Sequence, residues 1–109
     1  MARDVGQRPQ WDEARAAKLV GAKVLIGVTR RGPQGETQEQ MFGVIESADS
    51  KHGLEVILNG TKSGEIYWLP PDLRNFVPAQ PGNYRLRSTG ETVTNPDYVS
   101  TWTINAPAH

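Results

Sequence analysis

The chain has 109 residues, 37% of them hydrophobic and 22% charged, and its 12 basic side chains balance 12 acidic ones. That length suits one domain with a single modest core, and the composition lies outside the low-hydrophobicity, high-charge regime of disorder. Zero net charge removes the long-range field that draws a protein to nucleic acid or anionic membrane, and the absence of cysteine excludes disulfides, thiol nucleophiles and thiolate metal sites.

Residues 1–9 read as a polar, flexible tail with no apolar run of the secretory kind. The longest apolar run, Val24-Leu25-Ile26-Gly27-Val28, is far short of the ~20 residues of a membrane span. These features predict a cytoplasmic protein without a membrane segment. Eleven glycines and eight prolines punctuate the chain and favour short strands with tight turns. A single domain is expected over residues 10–105, with 106–109 as a frayed tail.

One helix is predicted over Trp11–Val20, rich in helix formers, with acids early, bases late and Gly21 as its stop. Lys23–Thr29 then alternates as a strand with Val24, Ile26 and Val28 on one face. Arg30–Thr37, with Gly32, Pro33 and Gly35, reads as a loop. A second strand is expected over Gln38–Ala48 with Met41, Gly43 and Ile45 on one face, where Gly43 permits a sharp bend. After the turn Asp49–Gly53, Leu54, Val56 and Leu58 mark a third strand. Asn59–Gly64 is a tight connection to a fourth, Glu65–Leu69, stopped by Pro70-Pro71.

Pro70–Pro81 is too proline-rich for a regular strand but allows a helical turn at Asp72-Leu73-Arg74. Tyr84–Arg87 and Glu91–Val93 flank the turn Ser88-Thr89-Gly90. Asn95-Pro96-Asp97 turns the chain into a last strand, Ser100–Ile104. Several short strands joined by short turns predict a mainly β domain, a small barrel with a short N-terminal helix and a C-terminal β-hairpin extension.

Leu19–Leu73 resembles the SH3-like and Sm-like small barrels, and Gly43-Val44-Ile45-Glu46-Ser47-Ala48-Asp49 is similar to the first Sm signature, a strand glycine followed by an acid. The run Trp68–Leu73, with Pro81–Glu91 and Asn95–Thr103, resembles a family of short, standalone bacterial proteins of uncharacterised function. The Sm likeness implies a bent five-stranded sheet. Sm-like RNA binders carry an asparagine shortly after the acid, where this chain has Gly53, and an Ile-Arg-Gly type motif, where it has Glu65-Ile66-Tyr67-Trp68. Fold likeness alone does not transfer function.

No pattern of residues carries a recognisable chemistry. His52 lies in a turn and His109 at the end, too few for a metal site, and no metal or cofactor is expected. Asp49, Glu46, Glu65, Asp72, Glu91 and Asp97 are acids outside the helix, and turn capping is the ordinary role of such residues. Gly32-Pro33-Gln34-Gly35 and Gly60-Thr61-Lys62-Ser63-Gly64 lack the context of a phosphate loop. Arg30 and Arg31 with Arg85 and Arg87 form a candidate basic patch.

The aromatic group says most. Tyr67 and Trp68 are neighbours in a strand, so one faces the core and the other the opposite side. Tyr84 shares a face with Leu86, and Trp102 shares one with Ile104. The expected binding residues are Tyr67, Trp68, Pro70, Pro71, Asp72, Arg74, Tyr84, Arg85, Arg87 and Trp102, forming an aromatic groove for a protein or peptide. The reading is a non-enzymatic interaction module. Its alternatives are an Sm-like nucleic-acid-binding protein and a small-molecule binder or enzyme. A C-terminal edge strand would also allow pairing between copies.

Overall fold

The computed structural model describes residues 11–105, so the expected tails, Gln10 and His109 lie outside the described residues. The described chain is mainly β. A helix, α1 (Glu13–Leu19), precedes β1 (Lys23–Gly32), β2 (Gly35–Asp49), β3 (Gly53–Leu58) and β4 (Ile66–Leu69). Then follow β5 (Val77–Pro78), β6 (Asn83–Arg85), β7 (Thr92–Thr94) and β8 (Tyr98–Asn105). Short 3-10 turns occupy Gly60–Lys62 and Leu73–Asn75.

The helix is shorter than its helix-forming composition suggested because Asp12 ends it as the cap. The Asp12 carboxylate accepts a hydrogen bond from Arg15 N at 3.1 Å. Glu13 and Lys18 then suit the two ends of the helix dipole. Ala16 and Leu19, one turn apart, are the buried side chains. Gly21, at φ +87°, takes the left-handed conformation that turns the chain toward β1.

β1 and β2 form one long antiparallel hairpin, from Lys23 opposite Val44 out to Gly32 opposite Gly35. The expected loop over Arg30–Thr37 is therefore strand, except for the tight turn at Pro33 and Gln34. Its residues are polar and carry no apolar alternation. Cross-strand ion pairs stabilise the pairing instead: Arg31 Nε to Glu36 Oε1 at 3.1 Å and Arg30 Nη1 to Glu39 Oε1 at 2.7 Å.

Farther along, β2 shifts register between Ile45 and Ser47, a bulge that bends this 15-residue strand. Gly43 lies just before it, opposite Leu58 of β3. A Cβ on Gly43 would run into the Ile57 carbonyl oxygen and lie 2.9 Å from Leu58 Cα. The position requires glycine because β3 passes so close.

Among the described residues there are two sheets, one of six strands in the order β4-β3-β2-β1-β8-β5 and one a ribbon of β6 and β7. The six-stranded sheet is open, since its outermost strands, β4 and β5, share no ladder. The chain's last strand does not belong to a hairpin. It inserts between β1 and β5, parallel to β1, with Val24 opposite Tyr98 and Arg31 opposite Asn105. The hairpin extension is the β6–β7 ribbon. Pro70–Pro81, expected to be irregular, contributes the two-residue strand β5, whose Val77 lies opposite Val99. Proline is tolerated there because β5 is an edge strand.

Alternation along the strands divides the sheet into two faces. On the inner face Val24, Ile26 and Val28 of β1, Ile45 of β2 and Leu54, Val56 and Leu58 of β3 pack with Leu19, Leu69, Leu73 and Phe76 into the main core. On the outer face Leu25 meets Leu86 and Val93, with Phe42, Tyr84 and Val99 packed around them. The ribbon covers the centre of this face and is held at both ends. Glu91 accepts from Thr61 N at 2.9 Å, and Gln40 N donates to the Ser88 hydroxyl at 3.1 Å.

Candidate functional site

The ten expected binding residues do not form one groove. Tyr67 sits opposite Val56 and packs against the main core, whereas Trp68 sits opposite Glu55 on the outer face and is 50% exposed. Pro70 is exposed and Pro71 half-buried at the start of the β4–β5 connection. Asp72 caps the 3-10 turn through Arg74 N and holds the Arg74 guanidinium at 2.9 Å through both carboxylate oxygens. Trp102 is half-buried against Phe76 in an edge-to-face pair, and its Nε1 donates to the Ser100 hydroxyl at 2.8 Å. Arg85 and Arg87 point away from the ribbon's packed side and are exposed.

Two of the ten do come together. Arg74 and Tyr84 line a groove of about 360 Å³ between the second 3-10 turn and the ribbon, with Asn75, Val77, Val99 and Thr101. The Tyr84 hydroxyl donates to Gln80 O at 2.7 Å, and Asn75 Nδ2 donates to Thr101 O at 3.3 Å. The groove is open and its polar side chains already satisfy one another.

The more conspicuous surface lies on the other side of the ribbon. Ile66 is 53% exposed and stands two residues before Trp68 on β4, so both side chains project from the outer face. Ile57 of β3 lies opposite Ile66, and Val44 of β2 lies opposite Ile57. Together they make an apolar strip that the ribbon leaves uncovered. Sequence reasoning singled out Trp68 but missed Ile66. The signal was present, since residues two apart in a strand share a face.

This strip ends on an open backbone edge. Leu58 N donates to Glu65 O at 2.8 Å, and Asn59 N donates to Phe42 O at 2.9 Å, so Leu58 bonds toward β4 and Asn59 toward β2. Antiparallel bonding alternates residue by residue. Tyr67 therefore bonds inward to β3, and the N–H and C=O groups of Ile66 and Trp68 face the edge, where no strand of the described residues lies.

The carboxylates are scattered and individually engaged. Asp49 caps its turn, accepting from Lys51 N and from His52 N at 3.1 Å, and these bonds hold its carboxyl below the usual range. Arg74 does the same for Asp72, Arg30 and Lys62 for Glu39, and the Thr89 and Thr61 hydroxyls with Thr61 N for Glu91. Asp97 accepts from Lys23 N at 2.8 Å. Such groups stabilise the fold above their unfolded pKa, near 4, and lose that contribution as pH falls through their lower folded values. Thermal denaturation across pH is expected to show a melting temperature that is level from about pH 7 to 5 and falls below about pH 4. A melting temperature that rises on acidification below pH 4 would contradict this assignment.

The basic patch expected from four arginines is partly neutralised, because Arg30 and Arg31 are each ion-paired to β2. Among the described residues no cluster of three or more histidines or carboxylates converges, and no helix is long and apolar enough to cross a membrane. Fold and surface together define a mainly β domain with an apolar, unpaired sheet edge. No protein-family model, curated protein or solved structure matches the chain.

Proposed function

We propose that this protein is a non-enzymatic protein-interaction module whose contact surface is the outer face at the β4 edge. The observation that carries the reading is the pair Ile66 and Trp68, each about half exposed, beside unpaired backbone groups. An apolar edge strand is a liability for a free protein, and natural edges are ordinarily charged, bulged or covered. A partner that covers β4 removes the liability and uses it for recognition.

The SH3-like barrel belongs to the same proposal. It is supported by the antiparallel order β1 to β4, the 3-10 turn before β5, and the bend in β2. Leu69, Leu73 and Phe76, from the end of β4 and the connection to β5, enter the same core as β1. The ion pairs of Arg30 and Arg31 weigh against nucleic-acid binding, and the separately engaged carboxylates weigh against acid–base catalysis.

A photo-crosslinking side chain placed at position 66 in living cells is expected to capture one discrete polypeptide. The adduct should disappear when Trp68→Ala is added. The same side chain at Thr103, exposed near the end of β8, should give no such adduct. An identical pattern from both positions, or none from position 66, would remove the reading.

A further inference from the structure

We infer that β4 is completed by an extended segment of a partner polypeptide in which apolar and basic residues alternate, a chemistry that rests on the interaction surface proposed above. The open backbone groups of Ile66 and Trp68 offer four hydrogen-bonding positions to an incoming strand, the main-chain part of strand-addition recognition. Side chains of an added strand alternate between the faces of the sheet. Those on the outer face meet Ile66 and Trp68 and are apolar. Those on the other face meet Tyr67 and, two residues before it, Glu65.

Charge selects the second set. Glu65 is exposed, and across the outer strip stand Glu55, opposite Trp68, and Glu46 in the β2 bulge. Among the described residues none of these three has an ion-pair partner. The nearby cation Lys62 is already held by Glu39 at 3.2 Å. A lysine or arginine opposite Glu65 would gain a carboxylate and the Tyr67 ring together. A second copy of this chain is a poorer occupant. Pairing β4 with its own copy in a register that keeps the faces matched, centred on Tyr67, places Glu65 against Leu69 and adds acidic rims to each other. A four-residue strand also buries far less than the roughly 1,200–2,000 Å² of a stable interface.

The test titrates three synthetic peptides, alternating valine–lysine, valine–serine and valine–glutamate, into the full chain with amide NMR as the readout. The valine–lysine peptide is expected to shift the amides of Ile66 and Trp68 saturably and to weaken as salt is raised. The valine–glutamate peptide should bind at least about tenfold more weakly. Glu65→Gln should weaken valine–lysine binding by about two- to fivefold, the worth of one exposed ion pair, and leave valine–serine binding unchanged. Equal saturation by the serine and lysine peptides overturns the basic partner while leaving the interaction surface standing. No shift in β4 from any peptide overturns strand addition. A concentration-dependent dimer whose contacts centre on β4 overturns it in favour of a second copy.

Discussion

Phe76→Ala is expected to remove about 3–5 kcal/mol of stability, the range for emptying a fully buried aromatic site. Phe76 has no exposed surface. Its ring meets Trp102 of β8 edge-on at a centroid distance of 6.4 Å, and its carbonyl accepts from the Arg15 guanidinium at 3.1 Å. One residue thus joins α1, the turn after β4 and the last strand. A domain of this size is stable by about 5–15 kcal/mol in total, so the loss is a third or more of what holds it folded. Phe76→Leu, which keeps most of the volume, should cost about 1.5 kcal/mol or less. Urea denaturation at neutral pH measures both. A Phe76→Ala loss below about 1 kcal/mol would mean the site collapses around the cavity or is not buried.

Gly43→Ala and Gly27→Ala should separate a packed glycine from an idle one. The methyl group at position 43 meets backbone on the neighbouring strand, the Ile57 carbonyl and Leu58 Cα, and backbone cannot swing aside as a flexible side chain does. Overpacking of that kind costs about 3 kcal/mol. At position 27, on the outer face of β1, an added Cβ meets nothing within 4 Å. There alanine should be neutral or stabilising by about 0.5–1 kcal/mol, because glycine loses more backbone entropy on folding. Equal effects at the two positions would show that β3 does not pass Gly43 as closely as described.

Alternation alone was enough to read the strands whose inner residues are apolar. Val24, Ile26 and Val28 of β1, and Leu54, Val56 and Leu58 of β3, all lie in the main core, as their spacing implied. The capped turn at Asp72 and the ribbon around Ser88–Gly90 were legible from turn chemistry. What was not legible depends on partners distant in sequence. Residues 30–37 look like a loop because periodicity reports burial, and this arm of the hairpin is exposed and held by ion pairs. β5 is two residues long and exists only because β8 passes beside it.

The candidate surface divides in the same way. Adjacency settled that Tyr67 and Trp68 face opposite sides. Which of them faces the core follows from the β3 register, with Val56 opposite Tyr67 and Glu55 opposite Trp68. Whether the outer side stays bare is decided by where the ribbon lands, and the ribbon covers Leu25 and Phe42 but stops short of Ile66. The openness of β4 is a property of the assembled sheet, which no local pattern encodes.

The parallel placement of β8 sets a timetable for the molecule. Lys23 N reaches its acceptor on Asp97 only after 74 further residues have been joined, and the ladder along β1 begins at the next residue. Until then β1, the most central strand of the sheet, has β2 on one side and nothing on the other. A ribosome-bound intermediate therefore carries a second raw edge besides β4, longer and more apolar, and closing it requires the slow, long-range contacts that delay folding. The growing chain is accordingly most prone to aggregate just before its final strand emerges.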